Sequence, residues 1–499
     1  MEVQFENSPC RCLKRVLCEV RSMEQAQEIR LSDGMPDIGR VLCGWGQVIL
    51  RSKEWNGDSV SFSAGMMVWV LYAPEDGTEA RWVEGWIPFS GDWDLPESCP
   101  EGSLTIQCLT RFVDARSVSA RKLMVRAGMG VMVEAYVPGE VQIFTPREEM
   151  PGVELKTVKI PLRLPQEVGE KTFSLDEELS LPGTVPLMEK IIYCRLEPEV
   201  QEQRVMTDKI VFRGAARLHM LYQCSDGSLH SWDFSVPFSQ YDELKQGRSP
   251  EAEVSVCCAV AAMEAEQTEE GKVHLKCTLA AQYLVDDQQM LELVQDAYSP
   301  GRELAAQEDL LKLPGVLQKK KDSLTPEANL PADGDQAVDV QCLPDFPRQR
   351  TVSGGIAQDL SGSFQILYYE AGGSLQAAGS RWESQQLLEA GEEAEASAWP
   401  LTPSEPQILL GGGDMKVRTE FAMQTRFSSG EAIPMVTGFT LGEAREPDEN
   451  RPSLIIRRAG QEDLWTIAKA SSSTVSAIRS ANHLEQEPKE GQMLLIPIQ

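Results

Sequence analysis

The sequence has few histidines and lacks the common catalytic and metal-binding motifs, and nothing among its many carboxylates singles out a catalytic pair. Only four histidines, His219, His230, His274 and His483, occur among 499 residues. The twelve cysteines include no CxxC pair and no histidine at metal-ligand spacing, so we expect reduced, mostly buried thiols without metal or cofactor. No GxSxG, HExxH or phosphate-loop motif occurs. The sequence therefore predicts a protein that is not an enzyme. A lone histidine on the polar face of a strand, such as His219, is expected to be an ordinary surface residue.

Long apolar runs and an excess of positive charge are also absent. No window of about 18 apolar residues could span a membrane, and the N-terminus lacks the basic and apolar segments of a signal peptide. The formal net charge is -29, and such an excess of carboxylates repels nucleic-acid phosphates and anionic lipid. We therefore expect a cytoplasmic protein with no nucleic-acid partner and no membrane span. Its length predicts about three or four domains.

A threefold repeat occupies most of the chain. The apolar pattern of Val68, Val70 and Tyr72 recurs at an offset of 150 residues and again after a further 146. The later copies are Leu218, Met220 and Tyr222, then Phe364, Ile366 and Tyr368. Apolar residues alternate with polar ones, as in a half-buried strand, and a glycine (Gly77, Gly227 or Gly373) follows at the same offsets. Each copy therefore predicts a β-hairpin whose turn uses the positive φ of glycine.

These patterns divide the chain into segments. We predict an N-terminal segment at 1–24, β-rich repeats at 25–150, 170–300 and 330–445, and a small C-terminal domain at 453–499. The third repeat is divergent. Proline-rich or polar stretches at 161–171, 313–334 and 445–453 are interpreted as linkers, and the run Lys319–Lys321 as part of a solvated linker.

The C-terminal segment, called the tail here, has its own pattern. It contains five basic and five acidic residues, so it is neutral while the remainder of the chain holds the negative charge. Leu454–Ile456 predicts a strand, Asp463 and Thr474 predict N-caps of two helices, and the letters MLLIP predict a final strand. The expected order is strand, helix, helix, strand, with Trp465 anchoring a small core.

The tail resembles a LysM domain, whose pattern includes LWxIA, TVxxL, NxL and a terminal GQxLxIP. The residues that match are Leu464, Trp465, Ile467, Ala468, Thr474, Val475, Ile478, Asn482, Leu484, Gly491, Gln492, Leu494, Ile496 and Pro497. Gln461 replaces the glycine that usually precedes the first helix, and Glu490 replaces a proline. The three repeats resemble SPOCS domains, and the letters VQDAYSP at 294–300 are similar to a segment common in such proteins. Together these features resemble the SipL/SpoVID-type spore-coat morphogenetic proteins.

This resemblance implies a mainly β fold: three tandem SPOCS-like domains and a small α/β (βααβ) LysM domain. It also implies a scaffold at the forespore surface in the mother cell, whose partners are a SpoIVA-like basement-layer ATPase and other coat proteins. LysM domains bind ligands between two loops, which here are residues 460–464 and 482–487. The implied groove residues are Gly460, Gln461, Glu462, Asp463, Leu464, Asn482, His483, Leu484 and Glu485. The implied core is Trp465, Ile467, Ile478, Leu494 and Ile496.

Two other functions remain open. The tail of a peptidoglycan-binding protein would bind N-acetylglucosamine glycan directly, and a wall hydrolase would need a catalytic domain, of which the sequence gives no sign. We expect protein to be preferred over glycan, because Gln461, Glu462 and Asp463 add bulk and charge beside the groove. On the same reasoning Trp465→Ala unfolds the tail, whereas substitution of Gln461, Glu462, Asn482, His483 or Glu485 weakens binding without unfolding it.

Overall fold

The computed structural model describes residues 1–146, 150–269, 271–312, 317–330, 334–370, 372–389, 394–411, 414–428, 432–445 and 452–498. Strands account for 74% of the structure and helices for 3%, which confirms the predicted mainly β class. In these ranges no helix is both long and apolar enough to cross a membrane. Of the predicted linkers, residues 313–316, 331–333 and 446–451 lie outside the described residues.

The first stretch of the chain forms two antiparallel three-stranded sheets. Its strands, with two short N-terminal ones and one that follows, are β1 (Glu2–Gln4), β2 (Glu6–Asn7), β3 (Cys10–Arg30), β4 (Ile38–Trp55), β5 (Ser59–Pro74), β6 (Arg81–Asp94), β7 (Ser103–Ser119), β8 (Lys122–Val141) and β9 (Phe144–Thr145). One sheet has the order β3-β8-β7 and the other β4-β5-β6. The long strand β3 therefore pairs with β8, and strands β4 to β6, which lie between them in the chain, form the second sheet.

The second stretch repeats this arrangement. Its strands are β10 (Glu154–Ser180), β11 (Met188–Met206), β12 (Lys209–Cys224), β13 (Leu229–Glu243), β14 (Glu253–Glu269) and β15 (Lys272–Tyr298). The sheets have the orders β10-β15-β14 and β11-β12-β13. Strand for strand, this is the pairing of the first stretch.

The third stretch keeps the order but breaks its long strands into pieces. Its strands are β16 (Arg302–Lys312), β17 (Leu317–Leu324), β18 (Glu327–Leu330), β19 (Gly334–Pro344), β20 (Arg348–Val352), β21 (Gly355–Glu370), β22 (Leu375–Glu389), β23 (Ala396–Pro400), β24 (Gln407–Gly411), β25 (Asp414–Arg418), β26 (Phe421–Ser428) and β27 (Ala432–Ala444). The initial pieces β16, β17 and β18 pair with the final pieces β27, β26 and β25. Strand β21 pairs with β19 and β22, and also with the additional strand β20.

The repeated tyrosines lie on the middle strands of the hairpin sheets. Tyr72, Tyr222 and Tyr368 belong to β5, β12 and β21. The Tyr72 hydroxyl donates to the carbonyl of Pro36 at 3.0 Å, and Tyr222 makes the same bond to the carbonyl of residue 186 at 3.1 Å. The first two stretches therefore share a tertiary hydrogen bond as well as a strand order.

The hairpin turns use the left-handed backbone region that their glycines permit. Gly77, Gly227 and Gly373 have φ values of 73°, 80° and 77°. At Gly77 a Cβ would meet no atom within 4 Å, so replacement by alanine costs only the backbone penalty, about 1–2 kcal/mol. A Cβ at Gly34 would also meet no atom within 4 Å, but Gly34 does not have a positive φ, so Gly34→Ala is the matched control. Urea unfolding is expected to show a lower midpoint for Gly77→Ala alone; equal midpoints would contradict this account.

Each of the three stretches begins earlier than the sequence predicted. Strand β3 runs through most of segment 1–24, and β10 contains the whole predicted linker 161–171. Strand β10 lies at the edge of its sheet, where Pro161 and Pro165 need not donate to a further strand. Prolines that suggested a linker are therefore accommodated within a strand, and the linker interpretation of 161–171 is wrong.

The lysine run is also part of the sheets. Lys319–Lys321 belongs to β17, which pairs with β26, so these lysines are not in a solvated linker. The Lys319 ammonium lies 3.1 Å from the carboxylate of Asp286, a side chain with 0% exposure. That buried negative charge explains why a lysine is placed here.

The three stretches share a central core in addition to their own. Cys43, Tyr193 and Asp339 occupy corresponding positions, paired with Leu71, Leu221 and Leu367. All six are buried. The hairpin sheets therefore pack against one another through equivalent faces, which joins the three stretches into one body.

Candidate functional site

The tail folds in the predicted order of strand, helix, helix, strand. Its elements are β28 (Leu454–Arg458), α1 (Leu464–Ala470), α2 (Val475–Asn482) and β29 (Met493–Pro497), and β28 pairs antiparallel with β29. The Asp463 carboxylate accepts from the Thr466 amide at 2.9 Å, and the Thr474 hydroxyl accepts from the Ala477 amide at 3.1 Å. Both predicted N-caps are thus confirmed.

The tail core is built from aliphatic residues of both helices and β29. Ile467, Ile478, Leu494 and Ile496 have 0% exposure. Trp465 differs from its predicted role, because it is only half-buried and packs at the edge of this cluster. Its ring faces the second stretch of the chain instead.

Trp465 holds the tail against the end of β15. Its indole Nε1 donates to Asp296 at 2.8 Å, and its ring meets Tyr298 edge-on, with centroids 4.8 Å apart. Lys469, one turn along α1, pairs with the same Asp296 carboxylate at 2.7 Å. The Tyr298 hydroxyl donates to the carbonyl of Ser473 at 2.9 Å. The segment 294–300, which the sequence singled out, therefore contacts the tail directly.

A second ion pair joins the tail to β10. Lys156 lies 2.8 Å from the Asp463 carboxylate, the same group that caps α1. We call Lys156, Asp296 and Tyr298 the seat of the tail. The bond from Lys156, with those from Thr466, lowers the pKa of Asp463 to about 2. Burial opposes ionisation of Asp296, but the bonds from Lys469 and Trp465 outweigh it and lower its pKa.

The Asp463–Lys156 pair predicts a specific pH response. A lowered pKa means that the pair supports docking fully above about pH 4 and loses this effect as the pH falls through about 2. In Lys156→Met the pKa of Asp463 is expected to rise toward its ordinary value of about 3.9. Carboxyl ¹³C NMR of aspartate-labelled protein between pH 6 and 3 is expected to show Asp463 titrating in the variant only. Identical curves for both proteins would contradict the pairing.

The first loop of the predicted groove is exposed at its start and closed at its end. Gly460 and Gln461 are exposed, and Glu462 pairs with Arg457. Gln461 is not among the non-glycine residues with positive φ, so its backbone does not require the usual glycine. The Leu464 side chain is buried, and its amide donates to the carboxylate of Glu487 at 2.9 Å.

The second loop contains one structural and two open positions. The Asn482 side chain donates to the carbonyls of Ile478 and Leu495 at 2.8 and 2.6 Å and accepts from the Leu495 amide at 2.7 Å. It therefore ties α2 to β29. The prediction that substitution of Asn482 weakens binding without affecting the fold of the tail is wrong, because the substitution also removes these bonds. His483 and Glu485 are exposed, while Leu484 packs against the tail core.

Glu487 ends the second predicted loop, but its contact with the first loop was not foreseen from the sequence. Its carboxylate lies between the two loops, because it accepts from the Leu464 amide and pairs with Arg479 at 3.2 Å. A glutamate in a polar loop gives no signal of such a bridge. The gap between the loops is thus crossed by a charged side chain of the tail itself.

Comparison with known proteins bears on the second stretch. Residues 188–268 match the family model described as SipL, SPOCS domain. The match extends from the start of β11 into β14, and so includes the whole hairpin sheet. It supports the resemblance to SipL-type proteins for this stretch. No curated protein and no solved structure matches the chain.

A buried polar network joins the three stretches, and it overturns the surface assignment of His219. His219 is 8% exposed, and its ring donates to Asp233 at 2.7 Å and to Asp339 at 2.8 Å. Asp339 also accepts from the indole of Trp45 at 2.8 Å and from the Tyr193 hydroxyl at 3.0 Å. The first, second and third stretches each supply a member. Alternation placed His219 on the face opposite its own core, but that face is covered by the neighbouring stretches.

The charge of His219 follows from its partners. Burial alone would lower the pKa of the imidazole, but the attraction of Asp339 and the hydrogen bonds to Asp233 and Asp339 raise it to about 9. The ring is therefore protonated at neutral pH. Among the residues that the structure describes, no cluster of three or more His, Cys, Asp or Glu is arranged to hold a metal ion.

A second buried network repeats this design. Arg426 of β26 is 2% exposed and donates to the Tyr136 hydroxyl at 3.2 Å and to Asp286 at 3.0 Å. Tyr136 belongs to β8 and Asp286 to β15, so all three stretches again contribute. Two charged networks thus fix the relative positions of the sheets.

Proposed function

We propose that this protein is a non-enzymatic scaffold of the endospore coat. In this proposal the three stretches are SPOCS-type domains and the tail is a LysM-type domain. The match of residues 188–268 to the SPOCS-domain model is the observation that carries the proposal. The recurrence of the same strand pairing in the first and third stretches extends it along the chain.

The proposed partner of the tail is the SpoIVA-like ATPase of the basement layer, and other coat proteins bind the scaffold. A protein partner is supported by the bridge that Glu487 makes between the loops, because a sugar needs close access to the loop backbone. The exposed side chains of Gln461, Glu462, His483 and Glu485 remain at the outer side of the loops. Polar and charged groups of this kind suit a protein surface better than a neutral sugar.

The scaffold role is supported by how firmly the tail is held. Ion pairs and aromatic contacts seat it on the second stretch, and buried charges join that stretch to its two neighbours. A partner bound to the tail would therefore be held in a defined place on the whole body. This is what a protein that links two layers requires.

The alternative is a peptidoglycan-binding protein that acts through the tail. It is favoured by the LysM-like order of elements and by the open position of Gly460 in the first loop. In both proposals the protein is non-enzymatic and acts in the mother cell at the forespore surface. They differ in the ligand of the tail.

Microscopy during sporulation tests the coat assignment. A fluorescent fusion of the full chain is expected to encircle the forespore, and a fusion ending at residue 445 is expected to disperse, because it lacks the tail. Uniform fluorescence of the full-chain fusion through the mother cell would contradict a coat function.

A further inference from the structure

A cavity of about 480 Å³ lies where the three stretches meet. Its lining comes from β4, β7, β11, β14, β17, β19 and β26, together with Phe346 and residues 399–403. Val48, Pro198 and Pro344, which occupy corresponding strand positions, all face it. Exposed residues such as Gln201 and Lys320 belong to the lining, so the cavity opens to solvent. A ligand can therefore reach it from the surface.

Several charged residues belong to the lining. Among the described residues they are Arg195, Lys319, Lys320 and Lys321, with the carboxylates of Glu197 and Glu199. Arg195 pairs with Glu197 at 3.1 Å, and this carboxylate is also paired with Arg217. The lining thus has more cations than carboxylates, but most of these cations are paired with carboxylates in or behind the cavity wall.

One of these cations has no counter-ion in the described part of the chain. Lys320 pairs with Asp322 at 3.0 Å, and Lys319 pairs with Asp286 at 3.1 Å. The ammonium of Lys321 makes no ion pair or hydrogen bond with any described residue, although Lys321 lines the cavity. An incoming anion would therefore find one lysine already free to bind it.

The rest of the lining is mixed, with polar side chains such as Gln47, Gln107 and Gln424 beside an apolar and aromatic part. Val48, Leu50, Phe346 and Trp399 are all buried at the cavity wall. Small-molecule sites are mostly apolar, have a few placed polar groups, and occupy about 300–1,000 Å³. The cavity agrees with this description in size, and its walls offer both apolar surface and polar groups to a ligand.

We propose that the cavity binds a small organic anion, with an apolar body against Trp399 and Phe346 and an acidic group paired with Lys321. Binding at a place lined by all three stretches would hold their sheets together. None of the described tail residues lines the cavity, so the proposal is independent of what the tail binds.

Anilinonaphthalene sulfonate, an aromatic body with one sulfonate, is a suitable probe. Fluorescence titration of the full chain is expected to show saturable binding at one site. Lys321→Ala is expected to weaken it about tenfold, which is the effect of losing a charge-assisted hydrogen bond. Gln201→Trp, at an exposed lining position, is expected to block it. Lys416→Ala is the matched control, because Lys416 lies on β25 outside the lining and pairs with Glu327.

The probe also binds exposed apolar surface, so a second control is required. Ile456 is 61% exposed on the outer face of the tail sheet, and Ile456→Ser removes its apolar surface. One-site binding that weakens in Lys321→Ala, fails in Gln201→Trp and persists in Ile456→Ser would support the proposal. Absence of binding, equal affinity in Lys321→Ala, or loss of binding in Ile456→Ser would overturn it. Circular dichroism and thermal melting establish that each variant is folded.

Discussion

Replacing Asp339 by alanine is expected to destabilise the protein by about 3–5 kcal/mol, the usual cost of removing one partner of a buried ion pair. The Asp339 carboxylate, in the third stretch, accepts hydrogen bonds from His219 and Tyr193 of the second stretch and from Trp45 of the first. Its loss leaves the Nε2 of His219 and the buried donors of Trp45 and Tyr193 without their acceptor, while Nδ1 of His219 keeps its bond to Asp233. Because these residues span all three stretches, we expect one cooperative transition at a lower denaturant concentration.

The matched control is Asp359→Ala, an exposed aspartate on β21 of the same stretch. It is expected to leave the urea midpoint nearly unchanged. Equal midpoints for Asp339→Ala and Asp359→Ala would show that the network does not join the stretches.

The same network predicts a loss of stability at alkaline pH. The pKa of His219 is raised to about 9 in the folded chain, against about 6.5 when unfolded. Its contribution is therefore complete below about pH 6.5 and is lost as the pH rises through about 9. The melting temperature, measured between pH 7 and 10, is expected to fall more steeply with pH for the wild type than for His219→Gln. Parallel curves would contradict the assigned charge.

Trp465→Ala is expected to release the tail from its seat without unfolding it. The substitution removes the bond to Asp296 and the edge contact with Tyr298, both of which lie outside the tail. The comparison variant is Ile478→Ala, in the centre of the tail core. Truncation of a fully buried isoleucine costs about 2–5 kcal/mol, which a domain this small cannot absorb. The tail of that variant is expected to unfold.

Hydrogen exchange separates the two effects. Amides of β28 and β29 are expected to remain protected in Trp465→Ala and to lose protection in Ile478→Ala. Small-angle scattering is expected to show a larger particle in both variants, because neither tail stays docked. Loss of protection in Trp465→Ala would restore the tryptophan to the role of core anchor that the sequence suggested.

Local patterns were readable from the sequence because they depend on neighbouring residues. The alternation of apolar and polar residues predicted the hairpins, and the glycines predicted their turns. Asp463 and Thr474 predicted where the two helices begin. Strand β10 was missed because its prolines are permitted only by its edge position, which is a property of the whole sheet. His219 and Trp465 were misassigned because their partners come from distant parts of the chain. No spacing rule predicts which surfaces of separate stretches will meet.

Measuring which ligand the tail binds decides most directly between a coat scaffold and a wall-binding protein. The full chain, and a matched chain with Gln461→Ala and Glu485→Ala, would be titrated by calorimetry with chitin oligomers and separately with the basement-layer ATPase. Both substituted residues are exposed at the loops, and neither side chain makes a hydrogen bond or ion pair with another residue that the structure describes. We predict binding of the full chain to the ATPase, weakened in the substituted chain, and no comparable binding of the sugar. Micromolar binding of chitin oligomers with no detectable ATPase contact would contradict the scaffold function and identify a wall-binding protein.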